Sequence, residues 1–158
     1  MATHKLDLTD LRGDDYCLFA IHSNLEDFRL AHAINSNLKT RLRRLKKDLD
    51  ICASQNPSFS LFEWEDPSLK NTWNLLTNYC QVEYQATGQG LFAEREEKIP
   101  KKIHLIKEHS NVDYFLKISG SFGPERAALE NLKKITAISL VYQVEVEKLE
   151  SNEYLILN

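Results

Sequence analysis

Cysteine, glycine and proline are all scarce in this chain, which holds 3, 5 and 4 of them among 158 residues. Cys17, Cys52 and Cys80 are odd in number, far apart and without a C-x-x-C pair. That spacing argues against a disulfide framework or a zinc knuckle and suits packing thiols. Few glycines and prolines exclude collagen-like and low-complexity classes. A basic excess is also missing: 20 Lys and Arg stand against 23 Asp and Glu, for a formal charge of −3. Nucleic acid or an anionic membrane surface would therefore need a local patch. No window approaches the roughly 20 apolar residues that span a bilayer, and Met1 to Asp7 has no leader-like apolar run. The expectation is a cytoplasmic protein with no membrane partner. Also absent are G-x-x-x-x-G-K-[ST], G-x-G-x-x-G, H-E-x-x-H and G-x-S-x-G. No catalytic residue, metal or cofactor is assigned.

What is present suits one domain over residues 1–158, with 42% apolar and 27% charged residues. Val112, Tyr114, Leu116 and Ile118 alternate with Asp113, Lys117 and Ser119, the period of a strand with one buried face. Gly120-Ser121-Phe122-Gly123-Pro124 then leads into a helical pattern on Ala128, Leu132 and Ile135. Next comes a strand with Ile138, Leu140, Tyr142, Val144 and Val146 on one face. At about 35 residues, this is a strand–helix–strand unit.

A similar unit opens the chain. Tyr16, Leu18 and Ala20 alternate with Cys17, Phe19 and Ile21, so both faces are apolar and the strand is central. Ser23-Asn24-Leu25-Glu26 fits a capping box. Phe28, Ala31, Ile34, Leu38, Leu42, Leu45 and Leu49 then predict one long helix of about seven turns. Its second half carries Lys39, Arg41, Arg43, Arg44, Lys46 and Lys47, a solvated basic face or a docking surface for phosphates or an acidic protein. Phe59 to Trp64 reads as a strand, and Thr72 to Tyr84 as a long strand or a bent pair, with a bulge near Leu75-Leu76 explaining the change of phase. The charged stretch 86–100 reads as a mobile surface loop, and Tyr154 to Leu157 as an edge strand or a pin. Asp15-Tyr16-Cys17-Leu18 and Asp113-Tyr114-Phe115-Leu116 share three residues in register, an internal echo. Together these patterns predict an α+β fold. It has a mostly antiparallel sheet with two main helices on one face, in a ferredoxin-like or ACT-like layout with a duplicated strand–helix–strand unit.

Ile106-Lys107-Glu108-His109-Ser110-Asn111-Val112-Asp113-Tyr114 resembles the signature of the bacterial IPExxxVDY family. Ile106, Glu108, Val112, Asp113 and Tyr114 match it, and Lys107 stands where the family has proline. The resemblance implies a small cytoplasmic protein and supplies no catalytic residue.

Three candidate sites follow from the residues. Glu108 and Asp113 flank a short connection and would hold its N–H groups, or join His104 and His109 as metal ligands. Gly120, Ser121 and Gly123 place glycines at a strand-to-helix turn suited to an anion, with amino-acid binding by analogy to ACT-like domains. The basic run 39–47 is the third. The leading expectation is a non-enzymatic protein-interaction or regulatory module that pairs with an unknown partner or with itself. RNA association through the basic face is the alternative, and a small-ligand sensor the third reading.

Overall fold

The computed structural model describes residues 16–51, 57–86, 97–120 and 125–157. In chain order these are β1 (Tyr16–Ser23), α1 (Asp27–Leu38), β2 (Arg43–Arg44), β3 (Leu49–Asp50), β4 (Ser58–Phe59), β5 (Leu61–Asp66) and β6 (Asn71–Thr77). Then come β7 (Tyr79–Ala86), β8 (Glu97–His104), β9 (Tyr114–Ser119), α2 (Glu125–Lys133) and β10 (Ile138–Val144). Short 3-10 turns lie at Lys107–His109, Val146–Lys148 and Asn152–Leu155. Among the described residues no helix is long and apolar enough to cross a membrane.

Six strands form one sheet in the order β10-β1-β9-β6-β5-β2, with every neighbouring pair antiparallel. The fold is thus α+β, a mostly antiparallel sheet with two helices. β9 and β10 are parallel to each other with β1 between them, so α2 crosses over a strand laid down more than a hundred residues earlier. The central order β10-β1-β9-β6 is compatible with a ferredoxin-like layout, extended at one edge by β5 and β2.

Both faces of the sheet are covered. Cys17, Phe19 and Ile21 of β1 pack with Leu30, Ala31 and Ile34 of α1 and with Ala128 and Leu132 of α2. Leu18 and Ala20 point the other way, onto Leu105, Ile106, Leu149 and Leu155. β1 is therefore buried on both sides, as its doubly apolar pattern predicts, each large side chain contributing about 1.5–3 kcal/mol. β9 differs from its one-faced expectation. Phe115 and Lys117 are buried as fully as Tyr114 and Leu116. The Lys117 Nζ donates to the Leu155 carbonyl at 2.7 Å and stands 4.6 Å from the Tyr16 ring centre, which satisfies the charge. The internal echo is out of phase, because Tyr16 packs on the side opposite Tyr114.

The long helix is the largest correction. α1 begins at Asp27, not at Ser23, with Glu26 as its N-cap residue. The Ser23 hydroxyl instead accepts from Leu25 N–H and donates to the Ala137 carbonyl. The helix ends after Leu38, where Lys39 adopts a left-handed φ of 58°. Asn35 enforces the stop: its Oδ1 accepts from Thr40 Oγ1 and Leu42 N–H, both at 2.8 Å, and its Nδ2 donates to the Leu42 carbonyl at 3.1 Å. Past this point the chain rounds the sheet edge, so the regular leucine stripe is split. Leu38 and Leu42 stay on the helix side, whereas Leu45 and Leu49 cover the opposite face. Phe28, expected inward, is 57% exposed.

Smaller corrections have similar causes. No bulge interrupts Leu75-Leu76; β6 pairs regularly with β5 and β9, and its two faces are both buried. The break lies at Asn78. In β10 an extra residue at Ser139 shifts the register against β1, so Val141 turns inward and Leu140 outward at 53% exposure. Val146 lies in a 3-10 turn, and the segment near Leu155 pins onto the sheet rather than adding a strand. β8 begins at Glu97, inside the stretch read as a loop, and pairs with β7 as a separate two-stranded arm.

Candidate functional site: a cationic cleft beside two tryptophans

The cap at Lys39 and the Asn35 clamp turn the chain so that Lys39, Arg41 and Arg43 line a cleft of about 770 Å³. The neighbouring end of β5 and the following turn also line it, with Glu63, Trp64, Glu65, Asp66 and Pro67. Trp73 of β6 and Ala127, Ala128 and Asn131 of α2 complete it. The volume is in the usual range for small-molecule sites. Trp64 and Trp73 are cross-strand partners, their rings 6.0 Å apart and tilted by 52°. The Trp73 indole N–H donates to Asn71 Oδ1 at 3.1 Å. These are the only two tryptophans of the chain.

Charge in the cleft is unevenly engaged. Glu63 accepts from the Asn74 amide at 3.0 Å. Asp66 caps the β5–β6 turn, accepting from Ser68 and Leu69 N–H. Lys39, Arg41 and Arg43, by contrast, have no ion pair or side-chain hydrogen bond among the described residues, although Arg43 lies in register with Glu63. Glu65, exposed on the same strand as Glu63, also has no partner among the described residues, so the unengaged groups are three cations and one carboxylate.

The six expected cations do not share one helix face. All are exposed, but Arg44 points to other partners: bidentate contacts to Asp48 at 2.8 and 2.9 Å, a contact to Asp27 at 3.3 Å, and the Phe62 ring. Lys46 and Lys47 lie in a bend beyond β2 and do not line the cleft.

The signature segment is a set of long-range clamps. Glu108 Oε1 accepts from Glu150 and Ser151 N–H at 2.7 and 2.8 Å, and Oε2 from the Ser151 hydroxyl at 2.7 Å. Asp113 Oδ2 accepts from Ser23 N–H, and the Tyr114 hydroxyl donates to the Leu25 carbonyl at 2.6 Å. His109 packs edge-on to Phe115, and burial, followed by the nearby Lys102 charge, lowers the pKa of His104. No three His, Cys, Asp or Glu side chains are grouped for a metal ion among the described residues. Ile106 and Val112 fill the face opposite the helices.

Partial burial alone would raise the Glu108 pKa, but hydrogen bonds from its own N–H, from the Ser151 hydroxyl and from the Ser151 and Glu150 amides hold it near 2, against an ordinary 4.5. A depressed folded-state pKa contributes stability that is complete above the unfolded value and lost as pH falls toward the folded one. Glu108→Gln is thus expected to be less stable than wild type by a constant margin above about pH 5, a margin that closes between 4.5 and 2. Thermal unfolding across that range checks it, and a pH-independent gap would refute the clamp.

Gly120 has a φ of +133°, and a Cβ there would lie 2.9 Å from Asn71 Cβ. Its glycine is required by backbone geometry; Ser121 and Gly123 lie outside the described residues, as do Cys52 and Phe92. Cys17 is buried, which with the charge of Glu125 pushes its thiol up to about 12, and Cys80 is likewise raised by burial; both are packing thiols.

Sequence reasoning missed Asn35 and Asn78. Asn78 is fully buried, donating to the His109 and Val112 carbonyls and accepting from Ile106 N–H. Its only sequence signal is an asparagine set in a run of apolar strand residues. No family model, curated protein or solved structure matches the chain.

Proposed function

We propose that this chain is a non-enzymatic interaction or regulatory module that takes an anionic group into the cleft. The observation that carries this reading is the uneven engagement of the charges at the cleft: Lys39, Arg41 and Arg43 have no partner among the described residues, whereas of the three carboxylates Glu63 is held by Asn74 and Asp66 by the turn, leaving Glu65 open. The resemblance to the IPExxxVDY family belongs here too. It rests on the string of residues itself, in which Glu108, Asp113 and Tyr114 each close a contact far away in sequence.

A regulatory module also needs a surface for its partner, and the arm supplies one. Val82, Tyr84, Ile99 and Ile103 share one face of the β7–β8 ribbon, with Tyr84 55% and Ile99 49% exposed. An isolated two-stranded ribbon is marginal in water, so this face gains by being covered. The occupant we favour is a second copy. Exposed Lys101, on the same face as Tyr84 and Ile99, complements exposed Glu147, Glu150 and Glu153 on the tail of another chain.

Light scattering and native mass spectrometry of the purified chain test both surfaces. The expected result is a dimer that Tyr84→Glu/Ile99→Glu converts to monomer, and a retained anion that Arg41→Glu/Arg43→Glu releases. A bare monomer indifferent to all four substitutions would overturn the reading. Binding of RNA would favour the nucleoprotein alternative. With three unpartnered cations its log affinity should fall against log salt with a slope of about −2.

A further inference from the structure

We propose that β10 is a pairing edge for a second copy of this chain, joined antiparallel about a two-fold axis at Val141. This goes beyond the arm and rests on the second copy being the partner. β10 ends the six-stranded sheet, and among the described residues no strand lies on its outer side. The other edge of that sheet, β2, is two arginines long, and β8 of the arm carries Pro100 with Lys98, Lys101 and Lys102. Short strands, prolines and charges of this kind keep an edge from pairing. Ile138–Val144, seven residues, has none of them. Backbone direction decides which residues can pair. The Ile21 carbonyl accepts from the Asp113 N–H on the β9 side, and the His22 carbonyl from the Ser139 hydroxyl on the β10 side. Alternation along β1 then turns Leu18 and Ala20 toward β10, and their partners Val144 and Tyr142 back toward β1. Val141 and Gln143 are left with N–H and carbonyl pointing outward. Pairing Val141 with its own copy sets Leu140 opposite the other copy's Tyr142. Both stand on the face away from Val141 and α2. Leu140, 53% exposed in the single chain, is thereby covered by an aromatic ring at the closer of the two antiparallel spacings. The same axis sets Val144 of one copy beside Ile138 of the other. Thr77, Tyr114, Ile21 and Val141 form one row across the sheet, and β7 leaves just beyond Thr77. The tail of the second copy, with Glu147, therefore leaves the joined sheet at the end from which the arm departs, so that one dimer uses both surfaces.

Sedimentation and amide hydrogen exchange on the full chain test this together. Wild type is expected to dimerise, with the Val141 and Gln143 amides exchanging about tenfold or more slowly at high than at low protein concentration. The Tyr142 amide, turned toward β1, should be slow at both. Leu140→Glu, at an exposed position outside the core, is expected to weaken the dimer about tenfold or more. Leu140→Cys mixed with Tyr142→Cys is expected to give a disulfide-linked dimer on mild oxidation, and neither variant alone, which fixes the register. Tyr84→Glu/Ile99→Glu separates the two surfaces. If that variant is monomeric while Leu140→Glu dimerises like wild type and the Val141 amide exchanges freely, the edge inference fails and the arm reading stands. If Leu140→Glu is monomeric and the arm variant still pairs, the edge stands and the arm reading fails. A wild type that stays monomeric overturns both, and a protected Val141 amide in it would show the edge covered within one chain.

Discussion

Asn78→Ala is expected to lower the thermal midpoint by about 10 °C or more. The side chain is completely buried and makes three hydrogen bonds to backbone groups of Ile106, His109 and Val112, while its own N–H and carbonyl join Asp113 and Leu105. Truncation leaves the Ile106 N–H and the Val112 carbonyl facing a void and takes from the His109 carbonyl the second of its two donors. Each orphaned group costs about 1–3 kcal/mol, so a total of about 3–5 kcal/mol is expected. For a domain of this size 1 kcal/mol moves the midpoint by about 2–4 °C. Asn78→Asp keeps the acceptor for Ile106 but loses both donors and buries a charge, so it should be no better. Urea unfolding of both variants measures this, and a loss below about 1 kcal/mol would mean that water replaces the amide and that the 105–113 segment is held by its apolar contacts alone.

Gly120→Ala should be nearly as damaging. A methyl group would sit 2.9 Å from Asn71 Cβ and 3.1 Å from Asn71 Cα, and the φ of +133° is one that a side chain resists. Asn71 is buried at the start of a central strand and cannot retreat freely. The combined strain amounts to about 2–4 kcal/mol. Because Asn71 accepts from the Trp73 indole, the substitution should also alter near-ultraviolet circular dichroism and tryptophan emission at the cleft. A stable variant with unchanged tryptophan signals would show that the turn yields without disturbing its neighbour.

The sheet was legible because strand periodicity is local. Tyr16 to Ile21 carries apolar residues on both faces and lies between β10 and β9. The route after Leu38 was not legible, since leucines spaced by three and four serve a helix equally well as a chain that rounds a sheet edge. What decides between them is one asparagine: Asn35 holds Leu42 by both its N–H and its carbonyl, a tertiary choice that overrides helical propensity. The basic run was visible as composition. Its division, with Arg44 engaged by Asp27 and Asp48 and Arg41 and Arg43 left at a cleft, followed only from where that turn sends the backbone. The partners of the signature residues were hidden for a similar reason. Glu108 reaches Ser151, and Asp113 reaches Ser23, over distances along the chain that no periodicity encodes.

The placement of β1 bears on how the protein is made. Leu18 pairs with Val144, 126 residues away, and Phe19 with Leu116. Emerging from the ribosome, β1 has neither neighbour until β9, about ninety residues further on, has been synthesised, so its apolar faces wait uncovered. Folding of such a sheet is dominated by distant pairings and is correspondingly slow. Expression at reduced temperature, or with a holdase chaperone supplied, would then raise the soluble yield more than any substitution on the finished surface.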